Sequence, residues 1–153
     1  MNCATKECWL GNPTQYENLS GREQESFNAA HLMGHMANWG YLEGQKINGD
    51  KFGADLLFYR SSDGNVLKVQ LKGRVTLCKH YKGKNIHVAF RDKETDDWFV
   101  YDHDTVLQQV LDKGHLAGTQ SWETTGGWSW SSNPLWLKHL MEPWRISGTS
   151  QDL

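Results

Sequence analysis

The sequence predicts an α/β fold with a mixed central β-sheet flanked by helices and a Trp-rich C-terminal extension. Three observations support this prediction. Residues 66–72 follow a turn signal and alternate apolar with polar side chains, which is typical of a half-buried strand. Residues 20–38 carry an apolar stripe at helical spacing. Residues 118–133 change in composition to Ser, Thr, Gly and Trp.

The chain has 153 residues, which is the length of one domain. We expect an N-terminal arm over residues 1–18, a single domain over residues 19–146 and a tail over residues 147–153. No uninterrupted apolar run approaches the roughly 18 residues that a membrane span needs, and the N-terminus lacks the apolar core of a signal peptide. We therefore expect a cytoplasmic protein with no membrane partner.

The cysteines are Cys3, Cys8 and Cys78, an odd count without a Cys-x-x-Cys pair. This pattern argues against a disulfide framework and against a structural zinc site. Reduced thiols are the expectation.

The first predicted element is a helix that begins at Ser20 or Gly21 and ends near Asn38, before Gly40. At 100° per residue, several apolar residues fall on one arc that is expected to face the core. They are Ala29, Leu32, Met33, Met36 and Trp39.

Glu25 lies at the centre of the same arc, whereas Glu23 points about 160° away. An acid on an apolar stripe is costly unless a metal or a cation offsets its desolvation. The alternative is that Glu25 only occupies the helix entrance, where the dipole favours acids. The first interpretation makes Glu25 a candidate site residue.

Strands are predicted at residues 41–47, 53–59, 66–72, 86–90 and 98–101, with a turn at residues 48–50. The second and third of these strands form a hairpin. Period-two geometry places Gln70 and Lys72 on one face of the third strand, and Asp55 lies near the start of its partner. An amide, an ammonium and a carboxylate therefore come from neighbouring strands.

A short helix is predicted at residues 105–113, capped by Asp102 or Asp104 and ended by Gly114. Further on, Asn133 and Pro134 begin another helix that runs to Pro143.

The net charge of −2 hides a segregation of charge along the chain. Residues 64–90 contain no Asp or Glu, and residues 73–85 form a basic, Gly-punctuated link after the Gln70 and Lys72 face. A run of basic residues can be only a solvated surface, or it can contact phosphates. The candidate DNA contacts are Lys68, Arg74, Lys79, His80, Lys82 and Lys84.

The Trp cluster permits three interpretations. The rings pack the domain or a subunit interface, which we favour, stack on unpaired bases, or form a sugar-binding platform. The residues are Trp122, Trp128, Trp130, Trp136 and Trp144.

The carboxylate of Asp55, the amide oxygen of Gln70 and the carbonyl of Leu71 are oxygen ligands of the kind that hard divalent cations bind. Lys72 would stand beside such an ion, where it could orient or deprotonate a water. This set of groups is a plausible apparatus for hydrolysing a phosphodiester. An ordinary polar sheet face is the alternative.

At these residues the sequence resembles the PD-(D/E)xK nuclease superfamily. The matching segments are residues 21–25, which open the first helix, then residues 53–55, and then residues 70–72, Gln-Leu-Lys. The resemblance implies a restriction-endonuclease-like core over about residues 20–113, with the Trp-rich extension at residues 118–146. Ala54 stands where the motif has proline, and Gln70 stands where it usually has an acid, as in intron-encoded homing endonucleases.

The resemblance implies that Asp55 and Gln70 bind Mg²⁺, with Mn²⁺ able to substitute, that Glu25 completes the shell, and that Lys72 is the catalytic lysine. Glu25, Asp55, Gln70 and Lys72 are thus the expected catalytic residues. The implied activity is hydrolysis of double-stranded DNA by a homing or restriction-like endonuclease, nucleoid-associated and at least homodimeric. A Holliday-junction-resolvase-like nuclease and an inactive nucleic-acid-binding module on the same fold are the alternatives.

Overall fold

The computed structural model describes residues 4–47 and 53–147. The predicted turn at residues 48–50 and the tail beyond residue 147 lie outside the described residues. The chain divides into two compact units, one that ends at His31 and one that begins at Leu32. The predicted domain limits at residues 18/19 and 146/147 stay predictions.

The first unit contains helix α1, Glu7–Leu10, a 3₁₀ turn, Tyr16–Asn18, and the N-terminal part of helix α2, Gly21–Ala37. A reciprocal pair of hydrogen bonds starts α2. The Ser20 N–H donates to Glu23 Oε1 at 3.1 Å, and the Glu23 N–H donates to Ser20 Oγ at 3.3 Å. The bonds to Ser20 lower the pKa of the Glu23 carboxyl. The predicted helix start is confirmed.

Tyr16 in the arm packs on one face of α2. Its ring lies 5.3 Å from the ring of Phe27, centroid to centroid. The Asn28 side chain donates to the Tyr16 hydroxyl at 2.9 Å, and the Gln24 side chain donates to the Tyr16 carbonyl at 3.2 Å. The partners are spaced three and four residues apart, so they share one helix face. The arm therefore has a packing that its own sequence pattern does not predict.

The second unit contains all seven strands that the structure describes. Their bounds are β1 Glu43–Lys46, β2 Leu56–Arg60, β3 Asn65–Leu71, β4 Thr76–Cys78, β5 Ile86–Arg91, β6 Trp98–Asp102 and β7 Gly127–Ser129. Three further helices are α3 His103–Asp112, α4 Gln120–Thr124 and α5 Leu135–Met141.

Five strands form one sheet in the order β1-β2-β3-β5-β6, and β4 pairs with β7 in a small antiparallel sheet. In the main sheet only β3 and β5 are parallel. A parallel pair needs a crossover of about a dozen residues, and residues 72–85 supply it. The predicted mixed α/β class, the β2–β3 hairpin and the β5 and β6 strands are confirmed.

Helical segments of the second unit lie on both faces of the main sheet. On one face, a Cβ added at Gly44 would lie 2.8 Å from Phe58 Cε1 and 3.2 Å from Met33 Cγ, so only glycine allows this close approach. On the same face the His35 ring lies 6.0 Å from the ring of Trp98. On the opposite face, α3 packs against β5 and β6.

The main hydrophobic core lies on the α3 face of the sheet. It contains alternate residues of β5 and β6, together with Val106, Leu107 and Val110 of α3 and Leu137 and Met141 of α5. Trp122 belongs to this core, and the other four predicted cluster members, Trp128, Trp130, Trp136 and Trp144, are half-buried against it. Trp130 makes edge contacts with Trp128 at 6.3 Å and with Trp136 at 6.0 Å. The Trp residues therefore pack the domain.

Trp39 departs from the predicted core stripe. Ala29, Leu32 and Met36 are buried and Met33 is half-buried, but Trp39 is 53% exposed. Its position lies two residues beyond the last residue of α2, so the helical spacing that placed it on the arc no longer applies there.

The short elements β4 and α4 were not predicted. Strand β4 lies inside the basic link and pairs with β7, about fifty residues away in the chain, so no local pattern signals it. Helix α4 spans only five residues. It depends on a cap, in which Thr119 Oγ1 accepts from the Trp122 N–H at 3.3 Å, and on burial of Trp122.

Cys78 is a free thiol, as predicted. Cys8 is disulfide-bonded, which contradicts the prediction of reduced thiols. An odd cysteine count excludes complete pairing but does not exclude one bridge. Cys3 lies outside the described residues.

The β2–β3 turn is closed by Asp63. Its carboxylate accepts from the Arg60 guanidinium at 2.7 and 3.0 Å and from the Asn65 N–H at 3.1 Å. The bond from Arg60, followed by that from Asn65, lowers the pKa of Asp63 to about 2.

We expect Asp63→Asn to lower the urea midpoint of unfolding at pH 7. A lowered folded-state pKa contributes stability that is present above the ordinary value of 3.8 and is lost as the pH falls through about 2. The difference in midpoint between wild type and variant should therefore shrink between pH 4 and pH 2. A difference in urea midpoint that stays constant over this pH range would show that the charge of the Asp63 carboxylate contributes nothing to stability.

Candidate active site

The candidate site lies where β3 ends and the chain enters β2. The Lys72 N–H donates to the Ala89 carbonyl at 2.8 Å, which extends the parallel β3–β5 ladder by one residue. Asp55 comes just before β2, and its N–H donates to the Val69 carbonyl at 2.9 Å. Main-chain hydrogen bonds therefore hold both segments at one end of the β2–β3–β5 part of the sheet.

Asp55 is fixed against the middle residue of the Gln-Leu-Lys segment. Its Oδ2 accepts a hydrogen bond from the Leu71 N–H at 3.1 Å. Asp55 is exposed, and its Oδ1 has no hydrogen-bond partner among the described residues. The structure thus brings the predicted carboxylate to the backbone between Gln70 and Lys72, and leaves one of its oxygens open to a ligand.

Gln70 is buried on the core face of the sheet, with 8% of its surface exposed. Its Cα is paired with that of Val88. The amide oxygen Oε1 is buried and has no hydrogen-bond partner in the described part of the chain. A buried acceptor without a partner costs about 1–3 kcal/mol, so the site favours a ligand that pairs with this oxygen.

Lys72 is half-buried, and its amine lies 5.8 Å from the centroid of the Tyr81 ring. Gly53 lets the chain that leads to Asp55 pass close to the same ring. Its φ is +71°, and an added Cβ would lie 2.8 Å from Ile86 Cδ1 and 3.9 Å from Tyr81 Cδ1. Tyr81 therefore adjoins both chain segments of the site, although no pattern in the sequence marks it as a site residue.

The donor set is compatible with a hard divalent ion. No group of three or more His, Cys, Asp or Glu residues capable of holding a metal occurs in residues 4–47 and 53–147. A site here would depend on the Asp55 carboxylate, the open Gln70 amide oxygen and a backbone carbonyl, all of which are ligand types that Mg²⁺ accepts. The single carboxylate makes it a site of low negative charge.

Glu25 lies in the first unit and is exposed. The desolvation that its position on the helical arc suggested does not occur. Tyr16 packs against the face of α2 formed by Gln24, Phe27 and Asn28. This face is rotated by about 100° around the helix axis from Glu25, so these contacts do not cover the Glu25 carboxylate. Its role as a ligand stays a prediction.

We expect Glu25→Gln to lower cleavage of DNA far more than Glu23→Gln if Glu25 completes the metal shell. Both carboxylates are exposed on the same helix, so the pair is matched in charge and chain position. Initial cleavage rates and unfolding temperatures should be measured for both variants. Equal losses of activity would remove Glu25 from the site.

The basic residues proposed as DNA contacts differ in their surroundings. The Lys68 amine donates to the Lys84 carbonyl, and the Lys84 amine lies 3.2 Å from His80 Nε2. The Lys79 amine lies 3.8 Å from the Glu123 carboxylate and 5.0 Å from the centroid of the Trp122 ring. Arg74 and Lys82 are exposed.

Together, these features define a mixed α/β protein in which a carboxylate, a buried amide and an ammonium come from adjoining chain segments at one end of the β2–β3–β5 strands. No helix among the described residues is long and apolar enough to cross a membrane.

No protein-family model and no curated protein matches the chain. Among solved structures, it is similar to a bacterial homing endonuclease, I-Ssp6803I, with a TM-score of 0.40 and 19% sequence identity. The likeness covers 58% of this chain and 70% of that chain. At this TM-score the likeness assigns no function. The description of the chain as a mixed α/β protein with these strand-end groups depends on its own elements and residues.

Proposed function

We propose that the protein is a Mg²⁺-dependent endonuclease that hydrolyses phosphodiester bonds in double-stranded DNA, with Mn²⁺ able to replace Mg²⁺. The observation that carries the proposal is the hydrogen bond from the Leu71 N–H to Asp55, because it joins the carboxylate to the segment that holds Gln70 and Lys72. The unpaired, buried Gln70 oxygen supports it, since a ligand at that oxygen would offset its desolvation.

Each residue has a distinct role in the proposal. Asp55 and Gln70 would hold the ion. When bound, Mg²⁺ supplies Lewis-acid polarisation of a phosphate oxygen and lowers the pKa of water. The Lys72 ammonium would pair with a phosphate oxygen as negative charge develops there, or orient the attacking water.

A homing or restriction-like endonuclease is the more specific form of the proposal, and a homodimer follows from it. One site cleaves one strand, and the two strands of a duplex run in opposite directions. A symmetric pair of sites would serve both strands. A resolvase-like enzyme would instead prefer a four-way junction.

The decisive experiment is a cleavage assay with the purified full chain on supercoiled plasmid, linear duplex and a four-way junction. We expect nicking or cutting with Mg²⁺ or Mn²⁺ and none with EDTA. Preference for the junction would favour the resolvase. Salt-dependent DNA binding without cleavage under any of these conditions would overturn the nuclease proposal in favour of the binding module.

We expect the double variant Lys82→Gln/Lys84→Gln to reduce the slope of log binding constant against log salt by up to about 2, because each lost phosphate contact removes about 0.9. Lys79→Gln is the matched control in the same segment. Its amine already faces Glu123, so its contribution to the slope should be smaller. An unchanged slope in the double variant would exclude this segment from the DNA interface.

A further inference from the structure

Two successive residues of α3 hold the segment between β4 and β5. The buried His103 ring accepts a hydrogen bond at Nε2 from the Cys78 N–H, at 3.0 Å. Asp104 Oδ2 accepts from the Gly83 N–H at 2.9 Å. Residues 78–83 are here called the Tyr81 turn. Both of its ends are therefore attached to the first turn of α3.

The hydrogen bonds also define the state of His103. Since Nε2 accepts from a backbone N–H, the ring proton lies on Nδ1, and this nitrogen donates to Asp104 Oδ1 at 2.9 Å. This hydrogen bond orients Asp104 toward Gly83. The pair acts as one bracket for the turn.

Tyr81 lies inside this bracket. It is 8% exposed, and its ring meets the His103 ring edge-on, with centroids 5.5 Å apart and an interplanar angle of 84°. The chain at Gly53 packs close to another side of the Tyr81 ring. The Lys68 amine donates to the Lys84 carbonyl, which ties the segment following the turn to β3. The ring has little freedom to move.

The Lys72 amine lies over this fixed ring, at 5.8 Å from its centroid. An ammonium is attracted electrostatically to the face of an aromatic ring at this distance. A lysine side chain otherwise has many rotamers, so a fixed aromatic partner limits where its charge can be. No carboxylate among the described residues forms an ion pair with Lys72, which leaves the ammonium available to a substrate oxygen.

We propose that Tyr81 positions the Lys72 ammonium at the site and that the His103–Asp104 bracket positions Tyr81. Tyr81, His103 and Asp104 are positioning residues, since they act through Lys72. The catalytic consequence rests on the proposed nuclease function, whereas the positioning itself is a property of the folded chain.

Nuclear magnetic resonance of the metal-free full chain, with ¹³C-labelled lysine, tests the positioning directly. We expect the Lys72 ε-methylene protons to be shifted upfield by the Tyr81 ring current. The shift should disappear in Tyr81→Leu, persist in Tyr81→Phe, and decrease in Asp104→Ala, where the side chain is 42% exposed and the substitution is tolerable. Lys79, over Trp122, is an internal control whose signals should stay unchanged in Tyr81→Leu. A Lys72 signal that is identical in wild type and Tyr81→Leu would overturn the proposal.

Kinetics test the catalytic consequence. Tyr81→Leu should lower kcat for DNA cleavage by about tenfold with little change in KM, and Tyr81→Phe should retain most of kcat, because it keeps the ring. A loss confined to KM, or an equal loss in both variants, would refute the catalytic role. If the wild-type chain does not cleave DNA, the proposed function fails, yet the ring-current measurement still decides whether Tyr81 positions Lys72.

Discussion

Lys72→Met should reduce the rate of DNA cleavage by about 100- to 1,000-fold, which is the usual cost of removing one group that stabilises transition-state charge. Methionine keeps an unbranched apolar stem like that of lysine but lacks the terminal ammonium and its charge. The backbone bond from residue 72 to the Ala89 carbonyl does not depend on the side chain, so the fold should persist. The measurement is the initial rate of plasmid nicking in Mg²⁺.

Two controls separate chemistry from binding and folding. DNA affinity of Lys72→Met, measured in Ca²⁺ to prevent turnover, should change far less than the rate. Lys113→Met removes an exposed lysine at the end of α3 and should leave cleavage unchanged. Wild-type rates in Lys72→Met would show that the ammonium takes no part in the reaction.

Asp55→Asn should lower the rate of Mg²⁺-dependent cleavage by about 100-fold or more, because among the described residues it removes the one carboxylate at the strand-end site. An asparagine oxygen can still accept the hydrogen bond from the Leu71 N–H, so the geometry of the β2–β3 end is retained. The variant therefore removes charge without removing the structural contact. Cleavage rates and Mn²⁺ affinity by calorimetry measure the effect.

Gln70→Glu is the complementary variant, since it adds a carboxylate at the buried position. It should retain or strengthen Mn²⁺ binding, whereas Asp55→Asn should weaken it. The unfolding temperature of each variant shows whether the fold is intact. Unaltered Mn²⁺ affinity in Asp55→Asn would mean that this carboxylate is not a ligand. Complete loss of Mn²⁺ binding in Gln70→Glu would mean that Gln70 is not a ligand.

Much of the fold could be predicted because its signals are local. Alternation in residues 66–72 and the apolar pattern of residues 86–90 each predicted a strand, which the structure places at β3 and β5. Asp102, whose Oδ2 accepts from the Thr105 N–H at 3.0 Å, caps α3 as expected. Capping and periodicity involve residues only a few positions apart. The pairing of β4 with β7 could not be predicted in this way, since its partners are far apart and each strand has only three residues.

The candidate site likewise has residues that the sequence predicts and features that it does not. Asp55, Gln70 and Lys72 could be selected from strand geometry and from the resemblance to a nuclease motif. The sequence did not predict that Gln70 Oε1 is buried without a hydrogen-bond partner. A strand of alternating pattern instead suggests that its polar face is solvated. Tyr81 had no signal either, since it stands in a basic run and its neighbours give no periodicity.

The sequence by itself determined the five strands of the main sheet and helices α2, α3 and α5, and which side chains could bind an ion or a phosphate. Only the tertiary structure decided that Asp55 meets Leu71, that Tyr81 lies under Lys72, and that α3 holds the Tyr81 turn. The physical reason is that helix and strand periodicities act over a few residues, whereas these contacts join residues 9 to 25 positions apart in the sequence. Their formation depends on the path that the chain takes through the sheet.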